Sequence, residues 1–396
     1  MLFSRSRLAS VLTCGVFVGI LSLSLSAQAA GDFTGYLYVS DFGTQLLDRF
    51  SYNYHSATNT ITNIVPAGYG GDTTSAAFIA GNIQSGLQGT GSDIIVVTNN
   101  GSSLARYDLD GNLIGTINVK NADNSPHTFN SIGSIVITQD GKFLYAPDAG
   151  NNAINKIDLA TGKIVNATAF TGAHDLAISA TGTIYAAAYN STDPNSIGVW
   201  ALSSDLSAKT QLITTSGGLT SPTGITVAAD GSLYLQQNVH TNVPDVAGGP
   251  DGVYHYQLSN SGATATATFD PTHSLISSTN LHSTFGSSLG PDGNIYIAAL
   301  GGGSGSGGNS GYTDGVYRFD PTALTVANFI AGRIEGSTTS GTGGLVAPKY
   351  LQFGSNFVLA SDAGVTPEPS SLIMALSLLG VTARGMLRAR PRRRNR

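Results

Sequence analysis

The sequence predicts an all-β protein, a β-propeller of four-stranded blades, and three observations predict it. Glycine is abundant, 50 of 396 residues, while apolar residues make up 41% and charged residues only 11%; a turn-rich chain with a large core has this composition, a disordered one does not. Four segments align without gaps on a turn glycine: Gly133–Gly141 (GSIVITQDG), His174–Gly182 (HDLAISATG), Thr223–Gly231 (TGITVAADG) and Phe285–Gly293 (FGSSLGPDG). Each is followed by three further β-rich runs, and no long helical period interrupts them.

Within a unit, the aligned segment is a first strand ending in a tight Asp-Gly or Thr-Gly turn. Second strands follow as KFLYAPD, TIYAAAY, SLYLQQN and NIYIAAL. Third strands follow as AINKIDLA, SIGVWALS, GVYHYQLS and GVYRFDPT, and fourth strands as KIVNATAF, AKTQLIT, ATATATF and VANFIA. An earlier, looser unit reads AAFIAGN, SDIIVVTN, SLARYDLD, LIGTINV. The first unit begins directly at its second strand (GYLYVSD), so its innermost strand must come from elsewhere. Lys349-Tyr-Leu-Gln-Phe353 can supply it, because Gly343-Gly-Leu-x-x-Pro348 repeats the Gly217-Gly-Leu-x-x-Pro222 that precedes another innermost strand. Six blades closed by a C-terminal strand are expected, with seven as the alternative because Phe357-VLASD is left over. The Asp-Gly turns and the phrase IDLATGKIV (Ile157–Val165) resemble the NHL/YVTN class of propeller repeats, a resemblance that covers most of residues 30–365 and implies fold rather than activity.

The two ends read as addresses. Arg5 and Arg7 precede an apolar run, Val11–Leu25, and Ala27-Gln28-Ala29, which predicts a secretory signal at residues 1–29 cleaved between Ala29 and Ala30. The single cysteine, Cys14, lies in that run behind Thr13, which argues against lipidation and excludes a disulfide framework. At residues 366–396, Pro367-Glu368-Pro369 is followed by the apolar stretch Leu372–Ala383 and a cluster of arginines that includes Arg392, Arg393 and Arg394. That stretch is short for a permanent span and suits a transient inner-membrane hold with the arginines on the cytoplasmic side. The order closely resembles the PEP-CTERM sorting signal of Gram-negative bacteria. The resemblance implies export machinery and an exosortase as partners, cleavage near Pro-Glu-Pro, and delivery to the cell surface or an exopolysaccharide matrix.

Between the two ends stand 22 Asp and 1 Glu against 6 Lys and 4 Arg, a net charge of −13. So acidic a body will not follow a phosphate backbone, and nucleic acid is excluded as a partner.

With strands A to D counted outward, the A–B and C–D turns share one face and the B–C and D–A loops share the other. The former are minimal, as at Asp110-Gly111, Asp140-Gly141, Thr161-Gly162 and Asp230-Gly231. The latter are long: 121–130, 190–196, 238–250, 270–281 and the glycine run 301–311. Binding is expected on the long-loop face. His127, His240, His273 and His282 fall there, and His174 opens an A strand at the channel rim; His55 and His255 lie elsewhere. Such histidines suit metal, acid–base or pH-sensing chemistry, although loops accommodate histidine without any function. His174-Asp175 is the sharpest pair, since the aligned positions are Gly133-Ser134, Thr223-Gly224 and Phe285-Gly286. The pair is the weak catalytic candidate, as base or metal ligands, although neighbours on a strand point to opposite faces and structural rim residues are the commoner outcome. Asp108-Leu-Asp110-Gly111-Asn112 begins like a calcium loop but lacks the closing acid of a twelve-residue loop, and it reads as a β-turn. No metal-ligand set is assigned.

The expectation is a non-catalytic surface or matrix module, with exopolysaccharide or surface proteins as partners and a cation such as calcium as a bridge to an acidic polymer; no cofactor is firmly implied. The alternative is a propeller enzyme with its site at the channel rim, similar to gluconolactonase-type lactonases or streptogramin-type lyases. The lactonase resemblance implies a Glu, Asn and Asp around a divalent metal; here the body's one glutamate, Glu335, lies in a late loop. No G-x-S-x-G nucleophile motif is present. A periplasmic scaffold holding another protein in its channel is the third reading.

Overall fold

The computed structural model describes residues 31–71, 75–80, 83, 86–90, 92–190, 193–215, 219, 221–237, 252–259, 265–276, 281, 284–299, 313–334 and 345–354. They form six antiparallel blades arranged as a β-propeller, and no α-helix occurs among them.

The first blade holds β1 (Phe33–Asp41), β2 (Leu46–His55), β3 (Thr60–Pro66) and, as an extra edge on β2, β4 (Ala77–Ala80). The second is β5 (Leu87–Gly89), β6 (Asp93–Thr98), β7 (Ser103–Asp108) and β8 (Leu113–Thr116). The third is β9 (Val136–Ile137), β10 (Phe143–Asp148), β11 (Ala153–Asp158) and β12 (Lys163–Ala169). The fourth is β13 (Ala173–Ile178), β14 (Ile184–Ala188), β15 (Gly198–Leu202) and β16 (Lys209–Thr214). The fifth holds β17 (Pro222–Val227), β18 (Leu233–Gln237), β19 (Gly252–Ser259) and β20 (Thr266–Phe269), with β21 (Leu275–Ile276) also on β19. The sixth is β22 (Thr284–Leu289), β23 (Ile295–Ala299), β24 (Thr313–Asp320) and β25 (Thr325–Ile334). The last strand, β26 (Pro348–Phe353), pairs antiparallel with β1 and becomes the innermost strand of the first blade. Closure by a C-terminal strand is therefore observed, with six blades.

One strand assignment is corrected. The run Ala76–Asn82, expected as the innermost strand of the second blade, instead supplies β4, which pairs with β2 at Leu46, Leu47 and Asp48. The innermost place is taken by Leu87-Gln88-Gly89, paired with β6. Only three residues are needed there, because the ring's inner circumference is filled by neighbouring innermost strands.

The second strands explain the fold's burial pattern. β6, β14, β18 and β23 are buried at every position, since both faces of each blade press on a neighbour. Their centres accordingly read as unbroken apolar runs rather than alternating ones, with polar residues at the ends of β6 and β18. The core falls into six clusters, one per wedge between blades; Tyr52, Phe353, Tyr296 and Val316, for example, fill the wedge between the sixth and first.

The minimal turns follow from glycine in the left-handed region. Gly141 (φ 67°) and Gly231 (φ 85°) close the A–B turns of the third and fifth blades, a backbone conformation that glycine adopts without strain. The preceding aspartates cap the turns: Asp140 Oδ1 accepts Lys142 N–H at 3.1 Å and Asp230 Oδ1 accepts Ser232 N–H at 2.9 Å. Asp108–Asn112 is likewise a turn, with Asp108 Oδ1 accepting the N–H groups of Asp110 and Asn112 at 3.0 and 2.8 Å.

The long B–C loops are confined to three consecutive blades. In the first three blades these loops are the four-residue segments 42–45, 99–102 and 149–152, whereas in the fourth to sixth they run 189–197, 238–251 and 300–312. The glycine run 301–311 lies outside the described residues, as do Phe357–Asp362, Glu335, the 1–29 segment with Ala29, Ala30, and the 366–396 segment. No helix among the described residues is long and apolar enough to cross a membrane.

Candidate functional site at the channel mouth

The innermost strands β5, β9, β13, β17, β22 and β26 enclose a central cavity of about 310 Å³ lined by residues from all six. Its polar lining includes Gln88, Ser134, Thr226, Ser287, Ser288 and Gln352. Neighbouring strands are stitched at the mouth: Gly86 N–H donates to Gly133 O at 3.0 Å, Ser134 N–H to His174 O at 3.2 Å, and the Thr223 hydroxyl to Thr284 O at 2.7 Å.

A repeated irregularity shapes this mouth. The pairing register slips between Ala173 and Asp175, between Pro222 and Gly224, between Thr284 and Ser287, and between Ser40 and Asp41 opposite Pro348 to Tyr350. The bulged residues are therefore His174, Thr223, Phe285-Gly286 and Lys349. A bulge bends the strand and re-aims the extra side chain, so one aligned position delivers four different groups to the rim.

His174 and Asp175 part company there. The Asp175 carboxylate is buried at 4% exposure and accepts Leu176 N–H and Ile225 N–H, both at 2.9 Å, which ties the fourth blade to the fifth. Burial pushes its pKa up to about 7, against the opposing pull of the Ser134 hydroxyl and those two N–H groups. The His174 ring lies 6.0 Å from the Tyr189 ring, and burial holds its pKa below the usual imidazole range. The two side chains make separate contacts, because the bulge at His174 aims its ring away from Asp175.

Across from them stands β26. The Tyr350 hydroxyl donates to the His174 carbonyl at 3.2 Å, which lays the phenol over the channel between the first and fourth blades. The Tyr350 ring also occupies the space a Cβ on Gly286 would need. Burial, reinforced by the Asp175 charge, raises the phenol's pKa. Beside it, Lys349 Nζ sits 3.8 Å from the Phe42 ring centroid and 5.4 Å from that of Phe285, and burial lowers its pKa. Sequence reasoning passed over Lys349 and Tyr350. The signal was present: Pro348 aligns with Pro222, which puts Lys349 at the register of Thr223 and hence of His174.

The other loop histidines go to separate neighbourhoods. His127 packs between the second and third blades, edge-on to Phe129 at 4.7 Å, with Nδ1 2.9 Å from Asn121 Oδ1. It borders a cavity of about 450 Å³. His273 lies on the outer edge of the fifth blade, where it meets His255 (ring centroids 5.4 Å apart) and Asp270. His255, set aside in the sequence, thus joins His273. His255, Asp270 and His273 are the one group of three or more His, Cys, Asp or Glu among the described residues able to converge on a metal ion. His240 and His282 lie outside the described residues.

The geometry defines a six-bladed β-propeller whose channel rim is cross-linked by its own polar groups. No protein-family model matches the chain, and no curated protein matches it. Among solved structures, it is similar to a chain of a nidogen–laminin complex, with 12% identity over 83% of this chain and 99% of that one at a TM-score of 0.50. A "putative 6-phosphogluconolactonase" from Bacteroides uniformis has 13% identity over 81% and 99% at 0.49; one from Bacteroides fragilis has 13% over 83% and 99% at 0.48. At such identities the likeness is one of fold.

Proposed function

We propose that this chain is an exported, surface-retained β-propeller that binds or scaffolds rather than catalyses, with its C-terminal segment processed by an exosortase. The observation that carries the non-catalytic reading is the use made of the rim pair. Asp175 spends both oxygens on the backbone of two blades, and the His174 imidazole is partly buried beside Tyr189, whose backbone it hydrogen-bonds. A general base or metal ligand needs a lone pair free toward a substrate; the Asp175 carboxylate is instead committed to joining the fourth and fifth blades.

A binding role is supported on the outer rim between the first two blades. Tyr36, Tyr69 and Leu109 are exposed there at 41%, 57% and 39%. They are gathered by Arg49, which lies over the Tyr36 ring at 4.7 Å and donates to Gly68 O at 2.9 Å and Leu109 O at 3.1 Å. The exposed Tyr36 ring set on a buried guanidinium, with the exposed Tyr69 in the same neighbourhood, suits stacking on sugar rings, and the proposed partner is an exopolysaccharide, with calcium as a bridge where the polymer is acidic. The Pro367-Glu368-Pro369 order and the arginine cluster support the sorting route.

The test is expression of the full chain in a Gram-negative host with and without an exosortase. The mature protein is expected to begin at Ala30, to lose its arginine tail only when the exosortase is present, and to reach the cell surface. Pro367→Ala with Glu368→Ala should leave the tail in place. An intact tail and a periplasmic location in both hosts would sink the sorting reading. Hydrolysis of a simple lactone that disappears in His174→Ala would replace the non-catalytic reading with the enzyme.

A further inference from the structure

The fifth blade departs from the repeat at its outer edge. Along β19, residues Tyr256–Ser259 pair with β20, while Gly252 and Val253 pair with β21. Between these two short partners the chain makes a single 3-10 turn, Pro271–His273, and His255 faces that gap. The turn is fixed tightly: Asp270 N–H donates to His255 O at 2.9 Å, His255 N–H to the Ser274 hydroxyl at 2.8 Å, and that hydroxyl to Asp270 O at 2.6 Å.

The side chains inside it form a directed array. Asp270 Oδ1 is occupied by its own turn, accepting Thr272 N–H at 2.9 Å and the Thr272 hydroxyl at 2.5 Å. Its Oδ2 faces two imidazoles, with His255 Nδ1 at 3.2 Å and His273 Nδ1 at 2.7 Å. On the far side of His255, Nε2 lies 2.8 Å from the Ser232 hydroxyl, which lies 2.6 Å from Asp230 Oδ1. The Ser232 proton goes to the carboxylate, the stronger acceptor. His255 Nε2 must then carry the hydrogen that Ser232 accepts, so in the neutral ring the Nδ1 lone pair is turned toward Asp270 Oδ2. With His255 only 2% exposed, a positive centre belongs between these two atoms, either a proton or a metal ion.

We propose that His255 Nδ1, His273 Nδ1 and Asp270 Oδ2 form a binding site for a divalent transition metal of the zinc class. Two imidazole nitrogens and one carboxylate select zinc or its neighbours over calcium and magnesium, which take oxygen donors. Bonds of about 2.0–2.1 Å in tetrahedral geometry separate ligand atoms by about 3.3 Å. The His255–Asp270 spacing already meets this, and the half-exposed His273 ring needs to withdraw by only about half an ångström. The Asp230–Ser232–His255 relay is the outer-shell support that fixes a metal-binding imidazole's tautomer. Three protein donors leave a fourth position to solvent on the His273 side. The metal would clip the Pro271–His273 turn to β19.

The full chain, purified without a histidine tag and stripped with chelator, is titrated with zinc by calorimetry and with cobalt by visible absorption. One equivalent of either metal is expected, with the intense d–d bands of four-coordinate cobalt. Affinity should fall at least about tenfold in His273→Ala and in His255→Gln, and should be unchanged in His55→Ala. If His255→Gln does not fold, His273→Ala alone decides, because that ring is half-exposed. No uptake at millimolar metal, or uptake indifferent to His273→Ala, overturns the site and leaves a proton between His255 and Asp270.

Discussion

The Tyr350 hydroxyl reaches the His174 carbonyl at 3.2 Å, joining β26, the last described strand, to the innermost strand of the blade across the channel. β26 is therefore held both by its own blade and by the opposite wall of the ring. Tyr350→Phe removes one buried hydrogen bond and should cost about 1 kcal/mol. Tyr350→Ala also removes the ring that packs on Gly286 and should cost about 3–5 kcal/mol. Equilibrium unfolding in urea checks both; equal costs would show that the phenol's contact with His174 carries the whole effect.

Closure has a second anchor in Asp41. Its Oδ2 accepts Val346 N–H at 2.7 Å, and its Oδ1 accepts Ala347 N–H at 2.8 Å and Gly43 N–H at 2.9 Å. Both oxygens are taken, so Asp41→Asn turns an amide N–H toward a backbone N–H and should cost about 2–3 kcal/mol. Limited proteolysis should then release the C-terminal strand first. Asp148 does the same work in the third blade, accepting Asn130 N–H at 2.9 Å.

Stability should fall as pH rises toward 8. Burial, with the nearby Asp41 charge, pushes Asp48 up to about 8 from an ordinary 3.8, and burial pushes Asp175 up to about 7. Between these values the folded state holds protons that the unfolded state has released. The stabilising contribution is thus complete below pH 3.8 and is lost as pH climbs through 7 to 8. Below the ordinary aspartate range, turn carboxylates such as Asp158 and Asp205, held low by threonine and serine donors, act oppositely. Melting temperature is therefore expected to peak at about pH 4, where the two opposing slopes meet. Asp48→Asn, which replaces a buried oxygen lacking any hydrogen-bond partner, should flatten the decline above that peak. An unchanged pH profile in the variant would refute the assignment.

At the stitched neck, side chains have no room. A Cβ on Gly224 would fall on the Phe285 carbonyl oxygen, and one on Gly133 on the His174 carbonyl. Gly224→Ala should destabilise by about 1–3 kcal/mol through forced separation of the fifth and sixth blades. Gly141→Ala has open space but a φ of 67°, so it should cost about 1 kcal/mol from backbone strain alone. Thermal or urea unfolding ranks the two.

The proposed glycan surface predicts a different readout. Tyr36→Ala with Tyr69→Ala should weaken retention on exopolysaccharide by about tenfold and leave the melting temperature within a few degrees, since both rings are exposed. Retention unchanged in the double variant would move the binding face elsewhere.

The repeat was legible because every blade meets the same physical demand. A twice-buried second strand is largely apolar, with buried polar residues at its ends, and a turn of minimal length favours glycine at positive φ. These local requirements wrote Ile184–Ala188, Ile295–Ala299 and the Asp-Gly turns into the sequence in a form that periodicity can find. Even closure by Lys349–Phe353 was readable, from the Gly-Gly-Leu-x-x-Pro phrase that precedes it.

What the ring alone decided are the relationships between residues far apart in the chain. Leu87-Gln88-Gly89 carries no strand signal, yet it is an innermost strand because it fits between its neighbours; the more strand-like Ala76–Asn82 goes to the edge of β2. His174-Asp175 looked like a chemical pair, and a bulge sends one side chain to Tyr189 and the other into the backbone of the next blade. His255 and His273 sit on different elements and face each other only because β20 ends at Phe269 and the chain turns back at Asp270. Sequence periodicity records which face of a strand is buried. It holds no record of which distant polar groups a closed ring of blades will press together.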